Sequence, residues 1–114
     1  MELEAFELVI LRRPIDAPEY DDATLEDIQR QHLAFWADLR EKGFVASNGP
    51  VLDQPDESLR GLSLLRTGSL DQARALSLED PAVKAGRLAV DVMTWCCPPG
   101  SLTHPGTPIT IPDE

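Results

Sequence analysis

The pattern of hydrophobic and polar positions predicts four strands, two main helices and one short helical turn. Short apolar runs between turn residues are typical of strands, and apolar residues three or four positions apart are typical of helices. On these criteria the strands cover residues 6–11, 45–51, 59–67 and 88–95, the helices cover residues 24–42 and 70–78, and the turn spans residues 80–86. Thr24, Ser69 and Asp80 are the predicted N-caps of the three helical segments.

The order strand, helix, strand, strand, helix, strand is the split βαβ arrangement of a ferredoxin-like fold. We therefore predict an α+β domain with a four-stranded antiparallel sheet and both helices on one face. The first strand is apolar on both sides, since Phe6, Leu8 and Ile10 alternate with Val9 and Leu11. Two helices cover only one face of the sheet. The apolar area of the other face is larger than monomers usually expose. We therefore predict a homodimer that packs sheet to sheet.

Proline marks the end of the predicted domain. Five of the ten prolines lie between Pro98 and Pro112, where neither a helix nor a central strand can continue. We therefore assign residues 1–97 to the folded domain and residues 98–114 to a Pro-rich tail. This tail is either loose or extended across a partner subunit.

Charge and cysteine content narrow the function classes. The 114 residues carry a formal net charge of −10, whereas nucleic acid and anionic lipid are bound by clustered Lys and Arg. We therefore expect that the partner is neither nucleic acid nor a membrane. The acidic start of the chain is unlike a basic signal peptide, which favours the cytoplasm. Cys96 and Cys97 are adjacent and have only His104 nearby, so we expect reduced thiols and no metal site.

The predicted helix over residues 24–42 contains the first candidate catalytic residue. Its apolar stripe consists of Leu25, Ile28, Phe35, Trp36 and Leu39. At 100° per residue His32 falls within that stripe, so its imidazole faces the core side. A histidine in this position is either a buried structural residue with a backbone partner or a catalytic group. No other catalytic signature occurs, neither G-x-S-x-G nor a Gly-rich phosphate loop.

Four features together resemble the YCII-related family, and they cover about residues 4–95. They are His32 with Leu33, Gly43 leading through Val45 to Gly49-Pro50, Gly61 followed by the helix start at residues 69–73, and Asp80-Pro81 with Ala85-Gly86. One position departs from the family pattern, because Gln29 stands where members often carry an arginine one turn before the histidine. Trp36 and the Pro-rich tail also lie outside that pattern.

The resemblance implies a dimeric α/β barrel in which a histidine and an aspartate meet in a pocket between sheet and helices. The matching positions are His32 and Asp80. A carboxylate that accepts a hydrogen bond from one imidazole nitrogen fixes the tautomer and makes the other nitrogen a better base. Such a pair needs no metal or organic cofactor. Ser47, beside the Gly49-Pro50 turn, is a further candidate for a substrate contact in this pocket.

On this basis the leading hypothesis is a cofactor-independent lyase or isomerase. Its substrate class, taken from the resemblance, is a small ring compound such as a hydroxylated or chlorinated aromatic or a lactone. The main alternative is a non-catalytic dimeric module that binds a small molecule or a protein, in which His32 is structural and Asp80 is only a helix cap. A cofactor-free monooxygenase is a third possibility, because this fold hosts many functions.

Overall fold

One antiparallel sheet with helices on a single face forms the domain, as seen in a computed structural model that describes residues 1–112. Its elements are β1 (Glu4–Arg12), α1 (Asp22–Glu41), β2 (Val45–Pro50), β3 (Leu59–Leu65), α2 (Leu70–Ser77), α3 (Pro81–Lys84) and β4 (Ala89–Cys97). The strand order across the sheet is β2-β3-β1-β4, and each neighbouring pair is antiparallel. The predicted α+β ferredoxin-like arrangement is therefore confirmed.

The first helix begins earlier than the sequence pattern predicts. Asp21, and not Thr24, is the N-cap of α1, because its side-chain Oδ1 accepts a hydrogen bond of 2.8 Å from the backbone N–H of Thr24. Hydrogen bonding by the Thr24 side chain and, to a lesser extent, by its backbone N–H stabilises the carboxylate and lowers the pKa of Asp21. At the other end Gly43 adopts a positive φ of 85°, a conformation that ends helices and favours glycine.

The two faces of the sheet carry different apolar clusters. The main core fills the space between the sheet and the helices, and its buried members are Val9, Leu11, Trp36, Leu39, Val45, Leu65, Ala73, Ala82 and Leu88. A smaller cluster of Phe6, Leu64 and Cys97, with Leu8 packed against it, lies on the opposite side. We call this second side the open face. The alternation predicted for β1 is therefore observed.

The short helix α3 is held in place by the connection between β1 and α1. The Tyr20 hydroxyl donates a hydrogen bond of 2.6 Å to the carbonyl of Ala85, which caps α3. Gly86 follows with a φ of 77°, and a Cβ there would lie 3.0 Å from the ring of Pro18. Glycine is thus required by both the backbone conformation and the close approach. These contacts fix α3 beside α1.

The chain beyond β4 contains neither helix nor strand up to residue 112, and these residues are exposed. One backbone contact ties its start to the sheet, where the Gly100 N–H donates to the Glu4 carboxylate at 2.8 Å. The last two residues of the predicted tail, 113–114, lie outside the described residues. Over residues 1–112, no helix combines the length and the apolar character needed to cross a membrane.

Candidate active site

His32 and Asp80 are 48 residues apart in sequence and form a direct hydrogen bond. The distance between His32 Nδ1 and Asp80 Oδ2 is 2.7 Å. The Asp80 side chain is completely buried, and the His32 side chain retains 15% of its exposure. The pair lies between α1 and α3, on the side of the sheet that the helices cover.

The Asp80 carboxylate receives two further hydrogen bonds from within the protein. Its Oδ1 accepts from the backbone N–H of Ala82 at 2.9 Å, which is the N-cap interaction of α3. Its Oδ2 also accepts from the indole Nε1–H of Trp36 at 2.8 Å. No Lys or Arg side chain in residues 1–112 forms an ion pair with Asp80. Among the described residues, the hydrogen bonds and the imidazole therefore offset the free-energy cost of removing the Asp80 carboxylate from water.

The imidazole of His32 keeps one nitrogen free for chemistry. Nδ1 bonds to Asp80, and no partner for Nε2 occurs among the residues that the structure describes. If Asp80 is ionised, it accepts a hydrogen from Nδ1, and the lone pair of the neutral ring then lies on Nε2. A side chain in this state can accept a proton at Nε2, and 15% of the His32 side chain remains exposed.

Local sequence explains why these groups meet. His32 and Trp36 are four residues apart on α1, so both side chains lie on the same face of the helix. Asp80 is the N-cap of α3, and Pro81 directly after it occupies the first turn, a position that suits proline. Because α3 packs against α1, the second oxygen of the cap points at the two α1 side chains.

Ser47 does not join this pair within one chain. A bulge shifts the β2 register between Val45 and Ser47, so that Ser47 lies opposite Leu64 while Val45 lies opposite Leu65. Leu64 belongs to the open face, and Ser47 is exposed there, across the sheet from His32. The shift of one residue changes which face the side chain occupies. Asn48 takes the helix side instead and accepts a bond of 2.7 Å from Arg40 Nη1.

Trp36 is the site residue that the sequence pattern does not reveal. Its position in the apolar stripe predicts a core residue, and it is indeed 1% exposed. The pattern gives no hint that its indole N–H bonds to Asp80. The available signal is the four-residue spacing from His32, combined with the need of a buried indole N–H for an acceptor.

The described residues contain no group of three or more His, Cys, Asp or Glu side chains placed to hold a metal ion. Cys96 and Cys97 are both free thiols, the first exposed and the second buried. Two surface depressions occur in the described residues, and neither is lined by His32 or Asp80. One is on α1 around Gln29 and Leu33, and the other is at the β2–β3 connection around Gln54.

Comparison with protein families gives a match that covers most of the chain. The model of the YCII-related domain aligns with residues 7–96. This chain belongs to the YCII-related domain family. The predicted resemblance is thereby confirmed, and the matched range contains His32, Asp80 and Trp36. No curated protein sequence matches the chain.

Solved structures of other proteins share the fold of this YCII-related chain. One is a 5-chloro-2-hydroxyhydroquinone dehydrochlorinase, TftG, from Burkholderia phenoliruptrix in complex with 2,5-dihydroxybenzoquinone. It is 21% identical with a TM-score of 0.59, over 79% of this chain and 92% of that one. Another is a muconolactone isomerase, 13% identical with a TM-score of 0.63, over 90% of this chain and 99% of that one. At these identities the likeness establishes the fold.

Proposed function

We propose that this YCII-related protein is a small dimeric enzyme, a lyase or an isomerase, that acts on a small ring compound. The observation that carries the proposal is the 2.7 Å bond between His32 Nδ1 and the buried Asp80 carboxylate, which leaves Nε2 without a partner among residues 1–112. A cytoplasmic location, where thiols stay reduced, is part of the proposal and fits the two free cysteines.

The pair supplies general acid/base chemistry. His32 Nε2 takes a proton from a ring hydroxyl or from an activated ring carbon, and the Asp80 carboxylate stabilises the imidazolium that forms. In an isomerase the same proton returns to a different carbon, and in a dehydrochlorinase chloride departs with the electron pair of the broken C–Cl bond. A positioned base of this kind contributes about 10²- to 10⁴-fold to the rate. Proton transfer alone requires no metal or organic cofactor.

The substrate class follows from the enzymes that share the fold. One is named for dehydrochlorination of a chlorinated hydroxyhydroquinone and the other for isomerisation of a lactone. Both names describe small oxygenated rings. Because the fold hosts many functions, these compounds define the first test panel.

A second copy of the chain is the proposed occupant of the open face. This face contains the cluster residues Phe6, Leu8 and Leu64. It also contains three exposed side chains, Leu62 (36% exposed), Met93 (40%) and Trp95 (45%). Strand register makes the surface continuous, since Leu8 lies between Leu64 on β3 and Met93 on β4. A continuous apolar sheet surface of this kind is typical of an interface.

The test of the function is turnover of 5-chloro-2-hydroxyhydroquinone and muconolactone, followed by chloride release and ring absorbance. We expect the substitution His32→Gln to lower kcat at least about 100-fold without changing the melting temperature. His104→Gln is the matched control, because His104 lies in the exposed tail. A wild-type rate in the His32→Gln variant contradicts the catalytic assignment. Binding of these compounds without turnover favours the non-catalytic binding module.

The test of the dimer is sedimentation of a charged variant. Met93→Glu places a carboxylate in the open face, so we expect a monomer where the wild type is a dimer. Leu70→Glu is the control, because Leu70 has a similar exposure of 39% but begins α2 on the other side of the sheet. A monomeric wild type, or a Met93→Glu protein that stays dimeric, contradicts the proposed interface.

A further inference from the structure

Trp36 and His32 both hydrogen-bond to the same carboxylate oxygen. Asp80 Oδ2 lies 2.7 Å from His32 Nδ1 and accepts from Trp36 Nε1 at 2.8 Å. The indole is 1% exposed, and the Phe35 ring packs edge-on against it with centroids 5.4 Å apart. The indole N–H therefore has a fixed direction, and the carboxylate is its acceptor.

The carboxylate plane is defined by donors on both oxygens. Ala82 N–H holds Oδ1, and the two α1 side chains hold Oδ2. Removal of the indole N–H leaves His32 as the only side-chain donor to Oδ2 in the described chain. The carboxylate then turns more freely about its bond to Cβ, and the acceptor in front of His32 Nδ1 loses its fixed position.

The indole also affects where the shared hydrogen lies. A hydrogen bond donated to a carboxylate favours the ionised form of that carboxylate. Because Trp36 donates to Oδ2, we expect the hydrogen between Nδ1 and Oδ2 to lie on the imidazole nitrogen. The lone pair of the neutral ring would then lie on Nε2, the nitrogen that does not contact Asp80.

We propose that Trp36 is a positioning residue, whose indole N–H orients the ionised Asp80 so that His32 keeps its hydrogen on Nδ1 and its lone pair on Nε2. Trp36 itself touches no reacting atom. The inference deepens the proposed general-base role of His32 and rests on it for the catalytic consequence. Its effect on the tautomer of His32 is measurable without any substrate.

The substitution Trp36→Phe keeps an aromatic ring and removes the donor. In nitrogen NMR spectra of the free protein we expect the Nδ1–H of His32 to exchange about tenfold faster, which matches the loss of one hydrogen bond. The Nε2–H tautomer should also become visible. With a turned-over substrate, kcat should fall about tenfold while KM stays within about twofold, the signature of a group that acts on the reaction step.

Phe35→Leu is the packing control. It removes the edge-on ring contact but leaves the indole bond to Asp80 intact. We expect this variant to melt at a lower temperature and to keep the wild-type tautomer of His32. Equal changes at His32 in the Phe35→Leu and Trp36→Phe variants overturn the proposal, because packing alone then explains them.

A second measurement keeps the test valid if the Trp36→Phe variant does not fold. In Asp80→Asn, we expect the indole N–H resonance of Trp36 to shift together with the His32 Nδ1–H, while that of Trp95 on the open face stays unchanged. A Trp36 resonance that does not move overturns the proposal.

The inference and the proposed function fail in different ways. An unchanged His32 tautomer in Trp36→Phe overturns the role of Trp36, even if His32→Gln abolishes turnover. A changed tautomer in Trp36→Phe supports the role of Trp36, even if His32→Gln turns over at the wild-type rate and only the general-base function fails.

Discussion

Two aspartates have the same local role in this protein and different surroundings. Asp21 caps α1 by accepting from Thr24 N–H at 2.8 Å, and Asp80 caps α3 by accepting from Ala82 N–H at 2.9 Å. Asp21 is exposed, whereas Asp80 is completely buried and its second oxygen binds His32 and Trp36. A cap becomes a candidate functional group when packing directs its remaining oxygen at other side chains.

The difference arises from where each helix begins. The 20-residue helix α1 starts at the surface, after an acidic connection that includes Asp16 and Glu19. The four-residue helix α3 starts against the side of α1, and the Tyr20 contact to Ala85 fixes its far end. Local sequence selects an aspartate at both positions, and tertiary packing gives only one of them a second role.

The largest effect that separates the two aspartates is expected in stability. Asp80→Ala leaves three donors without an acceptor, namely the Ala82 N–H, the Trp36 N–H and the His32 N–H. We expect the free energy of unfolding to fall by about 3 to 5 kcal/mol in a urea titration. Asp21→Ala is the matched variant and should lose less, because water replaces the cap. Equal losses for the two variants contradict the comparison.

A second difference is expected in activity. Asn caps helices as well as Asp does but carries no charge. Asp80→Asn should therefore lower kcat about 100-fold or more on any substrate that the wild type turns over, because the imidazolium loses its carboxylate. Asp21→Asn should keep the wild-type kcat. If both variants keep the wild-type rate, Asp80 is a structural cap like Asp21.

The smallest effect is a pH dependence at Asp21. Its folded pKa lies below the ordinary value of 3.8 because Thr24 donates to the carboxylate. Its contribution to stability is therefore present above pH 3.8 and is lost as the pH falls through the lowered pKa. Asp21→Asn has no group to titrate there, so we expect its melting temperature to drop less than that of the wild type on acidification. Equal drops in both proteins contradict a charge-based contribution.

Local signals in the sequence predict the fold, whereas the pairing of His32 with Asp80 is implied only by the resemblance to the YCII-related family. Apolar periodicity placed His32 on the core side of α1, and the Asp80-Pro81 pair marked the start of α3. The position of Ser47 depends on a bulge in β2, and periodicity does not indicate where the register of two strands shifts. Asp21 replaced Thr24 as the cap because both residue types are suitable and the exact start is set by backbone geometry.

The sequence also does not predict the hydrogen bond from Trp36 to Asp80. Its large apolar ring fits the apolar stripe of α1, so packing in the core is enough to explain a tryptophan at this position. The acceptor for its N–H comes from a helix 44 residues further along the chain. Only the packing of α3 on α1 shows that Trp36 and His32 share a carboxylate oxygen.

The general-base role of His32 is tested most directly by nitrogen chemical shifts of the wild-type protein. These shifts show which nitrogen of the neutral His32 imidazole carries the hydrogen. His104 in the exposed tail is the internal reference, with no carboxylate hydrogen bond among the described residues. We predict that His32 carries its hydrogen on Nδ1, toward Asp80, and that Nε2 is unprotonated. A hydrogen on Nε2 of His32 would contradict the proposed general base, because the outward nitrogen could not then accept a proton.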